Sequence, residues 1–60
     1  MTKRFATARI AASQVRAGHV LYHGGEVVSV SRDGGMVIIT TKGGAWMEPA
    51  SRRLTYYPNM

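Results

Sequence analysis

The fold of this chain is decided by residues 27–40, which read Val-Val-Ser-Val-Ser-Arg-Asp-Gly-Gly-Met-Val-Ile-Ile-Thr. Two runs rich in β-branched residues flank Asp33-Gly34-Gly35, and Asp-Gly between such runs predicts a β-hairpin. A type I′ turn needs positive φ at both central residues, which Gly34 adopts without steric cost and Asp33 tolerates. These residues therefore predict a strand, a tight turn and a second strand.

The register of this hairpin depends on the length of its loop. A two-residue turn at Asp33-Gly34 gathers four β-branched residues on one face. They are Val28, Val30, Val37 and Ile39. A three-residue loop would instead place Met36 and Ile38 opposite the valines, because a slip of one residue exchanges the two faces. In either register the strand at 36–41 is apolar on both faces, so it is covered on both sides or presents an apolar patch to a partner.

Turn residues recur at short intervals along the rest of the chain, with short β-rich runs between them. This spacing is typical of an all-β barrel or sandwich. We predict an all-β fold, a small barrel of five to six short antiparallel strands, with a 3₁₀ turn at 50–53 before the last strand. The strands are predicted near residues 4–10, 19–23, 26–32, 36–42, 45–49 and 54–57.

The length of 60 residues predicts one domain, spanning residues 1–60. We expect residues 1–3 and 58–60 to be flexible at its ends. The chain has no cysteine and no His/Cys cluster for a structural metal. Its stability must therefore come from one compact apolar core, which self-association could extend.

The charge of the chain is strongly positive, with eight Lys/Arg against three Asp/Glu and a formal net charge of +5. Such a surface attracts nucleic acid, anionic lipid or acidic protein. The alternative is that the charge only keeps a small apolar chain in solution. Arg9 interrupts the apolar core that a secretory signal needs, and no apolar run approaches the ~20 residues of a membrane span. We expect a cytoplasmic protein without a membrane partner.

The residues that could carry catalysis or bind a metal are few and scattered. His19 and His23 flank turn glycines, and in a strand their spacing of ~3.3 Å per residue separates them too far to share an ion. Glu26 and Glu48 are distant in sequence, and Asp33 belongs to the turn. We therefore expect no enzyme, metal, cofactor or small-molecule substrate; a well-formed pocket that holds His23 or Glu48 would favour an enzyme instead.

Basic residues interleaved with aromatic residues are the remaining candidates. Single-stranded nucleic acid binds by stacking on exposed aromatic side chains beside a positively charged groove. Trp46 is either one of these stacking residues or part of the core, and the core is favoured, since a chain this short needs its largest apolar group inside. Tyr56 and Tyr57 are adjacent in a strand, so one points inward and one outward. The candidate nucleic-acid-binding residues are Lys3, Arg4, Arg9, Arg16, Arg32, Lys42, Arg52, Arg53 and Tyr57.

Three segments carry a family resemblance: Val15-Arg16-Ala17-Gly18-His19-Val20-Leu21, Gly25-Glu26-Val27-Val28-Ser29-Val30 and Gly35-Met36-Val37-Ile38-Ile39-Thr40. Together they resemble small SH3-like barrels of the KOW and translation-elongation-factor-P amino-terminal type, over roughly residues 13–57. The pattern is also similar to short proteins of actinobacteria and their phages. His19 stands where the family usually has an acidic residue after the glycine. The resemblance implies an SH3-like barrel and assigns no binding residue by position.

These observations favour a non-catalytic binding module. The leading hypothesis is a basic protein that binds DNA or RNA through the phosphate backbone with low sequence specificity. The alternative is a protein–protein interaction module, either a phage-encoded modulator of a host protein or a homo-oligomeric structural protein. It rests on Met36 and Ile38 as a possible apolar interface and on exposed strand edges.

Overall fold

The computed structural model describes residues 6–59 and shows six antiparallel strands in one sheet. The strands are β1 (Ala8–Ala11), β2 (Val20–Leu21), β3 (Gly25–Asp33), β4 (Met36–Thr41), β5 (Gly44–Pro49) and β6 (Arg53–Tyr56). A 3₁₀ helix at Ala12–Gln14 is the remaining regular element of these residues. The predicted all-β fold of short antiparallel strands is confirmed. Residues 1–5 and 60 lie outside the description, and with them the start of the first predicted strand and most of the ends expected to be flexible.

The strand order in the sheet is β1-β6-β2-β3-β4-β5. The long strand β3 takes part in two ladders, because its first residues pair with β2 and the remainder pairs with β4. Strands β3, β4 and β5 form a local meander, whereas β6 returns to lie between β1 and β2. The sheet therefore brings residues from both ends of the described chain together on β1 and β6.

The 3₁₀ helix lies before β2, and not at 50–53 before the last strand as predicted. The predicted position is instead a turn in which the Arg52 N–H donates to the Pro49 carbonyl at 2.9 Å. The Ala12 N–H donates to the Arg52 carbonyl at 2.8 Å, which ties the 3₁₀ segment to this turn. Ala12 is fully buried, so the segment is held by core packing that local sequence does not reveal.

The turn between β3 and β4 has neither of the two predicted registers. Asp33 pairs with Met36, so Gly34 and Gly35 are the central residues. Gly34 has φ of 63°, whereas φ is not positive at Asp33 or Gly35. These signs are those of a type II′ turn, which requires glycine only at its first central position, and not of the predicted type I′ turn. The hairpin is confirmed, but its turn is one residue further along than Asp33-Gly34.

A β-bulge interrupts β3 between Val27 and Ser29. Val27 is 1% exposed, whereas the extra residue Val28 is 52% exposed, so the prediction that Val28 shares the core face is wrong. Beyond the bulge Val30 lies opposite Ile39 and packs against the core. A bulge places two residues of one strand opposite one of its partner, and this offset sends Val28 outward.

The core lies between the meander and the strands β1, β6 and β2. Its buried apolar residues are Ala12, Val15, Leu21, Val27, Val37 and Ile39. Trp46, Leu54 and Tyr56 are partly buried and pack against this core. In β4 the side chains alternate, with Val37 and Ile39 fully buried and Met36 and Ile38 half-buried on the other face. Strand β4 is thus a central strand with an apolar residue at each position from 36 to 39.

Candidate nucleic-acid interface

The outer face of β1, β6 and β2 carries the largest group of predicted binding residues. Arg9 lies opposite Thr55, and Ala11 lies opposite Arg53. The alternate residues of these strands, such as Leu54 and Tyr56, pack against the core. Because side chains of a strand alternate between the two faces, Arg9 and Arg53 share the outer face.

Arg9 has two diagonal neighbours on this outer face, Arg53 and Tyr57. Its direct partner is Thr55 of β6. Arg53 lies two residues before Thr55 on that strand, and Tyr57 lies two residues after it, directly beyond the end of β6. Such diagonal neighbours are about 7–8 Å apart, which is within reach of long and aromatic side chains. Both arginines are exposed. Within residues 6–59 the ion pair that forms is Arg52 with Glu48, so neither arginine of this face is neutralised by a carboxylate.

Tyr22, the residue directly after β2, lies on the same face. Its backbone N–H donates to the Thr55 carbonyl at 2.9 Å, and the side chain is 56% exposed. The rings of Tyr22 and Tyr57 have centroids 6.0 Å apart at 41°, and His23 meets Tyr22 edge-on at 4.8 Å. We call Tyr22, His23 and Tyr57 the aromatic ledge. It is a surface on which flat, apolar groups can stack beside the two arginines.

Tyr22 is not among the candidate binding residues predicted from the sequence. The signal that could have found it is its position after Leu21, which is buried, because the next residue in a strand points to the opposite face. Tyr57 is on the ledge because Tyr56 packs inward, as their adjacency requires. Glu26 of β3 lies opposite Val20 of β2 and places a carboxylate at the border of this face.

The other predicted cations within residues 6–59 are not part of this face. Arg16 and Arg32 line a separate groove beside β3, where the Arg32 guanidinium donates to the Ser13 carbonyl at 2.7 Å. Arg52 pairs with Glu48, at 3.9 Å between Nε and Oε1. Lys42 lies in the turn between β4 and β5. Lys3 and Arg4 lie outside the described residues.

The two apolar candidates lie on the outer face of the meander. Met36 and Ile38 are half-buried there, and Ile38 lies between Ser31 of β3 and Met47 of β5. Met47 is 49% exposed. This face is a short apolar strip bordered by polar residues.

A small hollow near β5 is lined in part by His23 and Glu48, the two residues whose presence in a well-formed pocket would favour an enzyme. It is lined by Leu21, His23, Trp46, Glu48, Leu54 and Thr55 and has a volume of about 150 Å³. Small-molecule sites usually measure roughly 300–1,000 Å³. The Glu48 carboxylate accepts the Trp46 Nε1–H at 3.1 Å and pairs with Arg52, so its oxygens already have structural partners. The hollow is too small for a typical substrate.

Within residues 6–59 no group of three His, Asp or Glu side chains could hold a metal ion. No helix of the same residues has the length and apolar character needed to cross a bilayer.

Comparisons with protein-family models, with curated proteins and with solved structures found no match for this chain.

Proposed function

We propose that this chain is a non-catalytic module that binds single-stranded nucleic acid with low sequence specificity on the outer face of β1, β6 and β2. The observation that carries the proposal is the joint placement of Arg9 and Arg53 beside the aromatic ledge. The SH3-like barrel and the cytoplasmic setting expected from the sequence belong to the same proposal. The strand order, with β6 between β1 and β2, supports a barrel-like arrangement.

The two arginines supply the phosphate contacts. A guanidinium is planar, permanently charged and able to donate two parallel hydrogen bonds to phosphate oxygens. Arg9 and Arg53 are exposed, and no carboxylate of residues 6–59 pairs with either of them, so binding does not require such an ion pair to break. Phosphate contacts of this kind carry no sequence information, which accounts for the low specificity.

The aromatic ledge supplies the preference for single strands. Bases can stack on Tyr22 and Tyr57 only when they are not already stacked within a duplex. Every base has an aromatic face, so stacking adds affinity without selecting a sequence. The net charge of +5 attracts the polyanion to the protein before these contacts form.

The test is a titration of a fluorescein-labelled single-stranded oligonucleotide by anisotropy at several salt concentrations. For single strands, log K falls with log salt at about 0.7 per phosphate neutralised. In the double variant Arg9→Gln/Arg53→Gln we therefore expect the slope to shrink by about 1.4. The matched control is Lys42→Gln/Arg52→Gln, which removes the same charge away from this face and should leave the slope nearly unchanged.

Two outcomes would overturn the proposal. One is the absence of oligonucleotide binding at low salt by the unmodified protein. The other is an equal loss of slope in both double variants, which would show that only net charge matters.

Tyr22→Ser separately tests the ledge, because stacking contributes about 1–3 kcal/mol per base and its loss should weaken binding at least several-fold.

A second candidate function is a protein-interaction module that uses the apolar strip on the meander. Met47 is 49% exposed and lies opposite Ile38, which gives the strip an apolar centre. If the strip joins two copies, the mass by sedimentation should fall from dimer to monomer in Ile38→Lys, because a buried unpaired charge is costly. A chain that is already monomeric at high concentration argues against this self-association.

A further inference from the structure

A surface groove lies between residues 13–17 and the outer half of β3. It has a volume of about 540 Å³. This lies within the roughly 300–1,000 Å³ of ordinary ligand sites. Its walls are Ser13, Val15, Arg16 and Ala17 on one side and Val28, Ser29, Val30 and Arg32 on the other. The groove is distinct from the outer face of β1, β6 and β2, which shares none of these residues.

One wall of the groove is an open strand edge. β2 pairs with β3 only at Gly25 and Glu26, and the backbone of Val27 then bonds to Gly18 and His19. Beyond Val27, no backbone hydrogen bond joins residues 28–32 to residues 13–17 in the described part of the chain. The edge of β3 that faces away from β4 is therefore available to a further strand, as other unpaired strand edges are.

Two arginines stand over this edge. The Arg32 guanidinium is positioned by its 2.7 Å hydrogen bond to the Ser13 carbonyl, which is a neutral acceptor and leaves the positive charge in place. Arg16 is exposed, and its backbone is fixed by a turn in which its N–H donates to His19 Nδ1 at 2.9 Å. The ion pair of the described residues lies elsewhere, between Arg52 and Glu48. The groove therefore carries two positive charges without an internal carboxylate.

Ala17, Val28 and Val30 give part of the groove lining an apolar character. The bulge in β3 turns Val28 outward, where it is 52% exposed, and Val30 and Ala17 lie beside it. An exposed valine beside two arginines suits a ligand in which apolar and acidic side chains alternate. An extended peptide has this arrangement, because its successive side chains point to opposite sides.

We propose that this groove binds an extended acidic segment of a partner protein, which adds as a strand to the open edge of β3. Main-chain hydrogen bonds to residues 28–32 would provide affinity, and side chains at alternate positions would provide specificity. Carboxylates of the segment pair with Arg16 and Arg32, and its apolar side chains cover Val28. Charge complementarity favours this occupant over a second copy of the chain, which is itself strongly basic.

The test uses a fluorescein-labelled six-residue peptide of alternating valine and glutamate with blocked ends, measured by anisotropy. A peptide of the same charge with every backbone nitrogen methylated is the control for strand addition. We expect the methylated peptide to bind at least about tenfold more weakly, since it cannot donate to the strand edge. A peptide with glutamine in place of glutamate should also bind weakly.

Two variants locate the binding on the protein. Arg16→Gln removes one charged partner, and we expect affinity for the peptide to fall about tenfold. Lys42→Gln removes the same charge away from the groove and should change affinity less than about twofold. Val28→Asp introduces repulsion at an exposed position where the fold tolerates a polar side chain, and it should abolish binding.

Three results would overturn the proposal. Equal binding of the methylated and unmethylated peptides would exclude strand addition. Equal losses of peptide affinity in Arg16→Gln and Lys42→Gln would show that only the net charge of the protein matters. If a single-stranded oligonucleotide displaces the peptide and Arg16→Gln weakens both ligands equally, the groove belongs to the nucleic-acid interface instead. Circular dichroism of each variant confirms that a loss of binding is not a loss of fold.

Discussion

At Gly24 the backbone has φ of 111°, and a Cβ built on it would lie 2.7 Å from Cη2 of Trp46. Gly18 has a similar φ of 99°, but a Cβ there would meet no atom within 4 Å. Both positions are strained for any residue with a Cβ, and only Gly24 also lacks space. The two glycines thus separate a backbone requirement from a packing requirement.

Gly18→Ala should lower the free energy of unfolding by about 1–2 kcal/mol, which is the usual penalty for an L-residue in this conformation. Gly24→Ala should cost a further ~1–3 kcal/mol, because the Trp46 ring must move within a packed environment. Urea unfolding followed by Trp46 fluorescence measures both values. Equal losses in the two variants would show that the ring moves aside freely.

At the scale of the strand, the bulge in β3 gives neighbouring valines opposite roles. Val27→Ala should lower the free energy of unfolding by about 2 kcal/mol, because it opens a cavity beneath a side chain that is 1% exposed. Val28→Ala should change it by no more than about 0.5 kcal/mol, since that side chain is 52% exposed. Denaturant titration of both variants checks this, and a larger loss at Val28 would contradict the bulge.

The strands could be predicted from sequence because their signal is local. Runs of β-branched residues between turn glycines indicated the meander with small errors at the boundaries. The register of the hairpin could not be predicted, because Asp33-Gly34-Gly35 offers two adjacent dipeptides that both suit a tight turn. The bulge depends on contacts of β3 with residues 18–21, which no local pattern contains.

The candidate interface was only partly predictable, because it too depends on contacts between segments that are distant in sequence. Charge and aromatic content indicated the residue types of the candidate interface. The selection of Arg9, Arg53 and Tyr57 from the larger set requires the pairing of β1 with β6. That pairing joins segments far apart in sequence, so composition and spacing do not reveal it.

At the scale of the whole molecule, the small core leaves little spare stability. Domains of this size rarely exceed ~3–5 kcal/mol from a single apolar core. Ile39 is fully buried, and truncating such a residue to alanine costs about 2–5 kcal/mol. Ile39→Ala should therefore unfold much of the population at 37 °C.

Ile38→Ala is the matched control, because this neighbour on the outer face of β4 is only half-buried. We expect it to remain folded. Thermal unfolding by circular dichroism compares the two variants. A cooperative transition near that of the unmodified protein in Ile39→Ala would show that the core is larger than the described residues indicate.

The position of β6 between β1 and β2 also has a consequence during synthesis of the chain. The meander is local, and hairpins of this kind form in about 1–10 μs once their residues are free to move. The pairing of β1 with β6 must close a long loop first, which slows sheet completion. The surface that combines Arg9 with Arg53 and Tyr57 does not exist until residues 53–57 have left the ribosome. A nascent chain can therefore carry most of its positive charge and still lack the assembled surface that we propose binds nucleic acid.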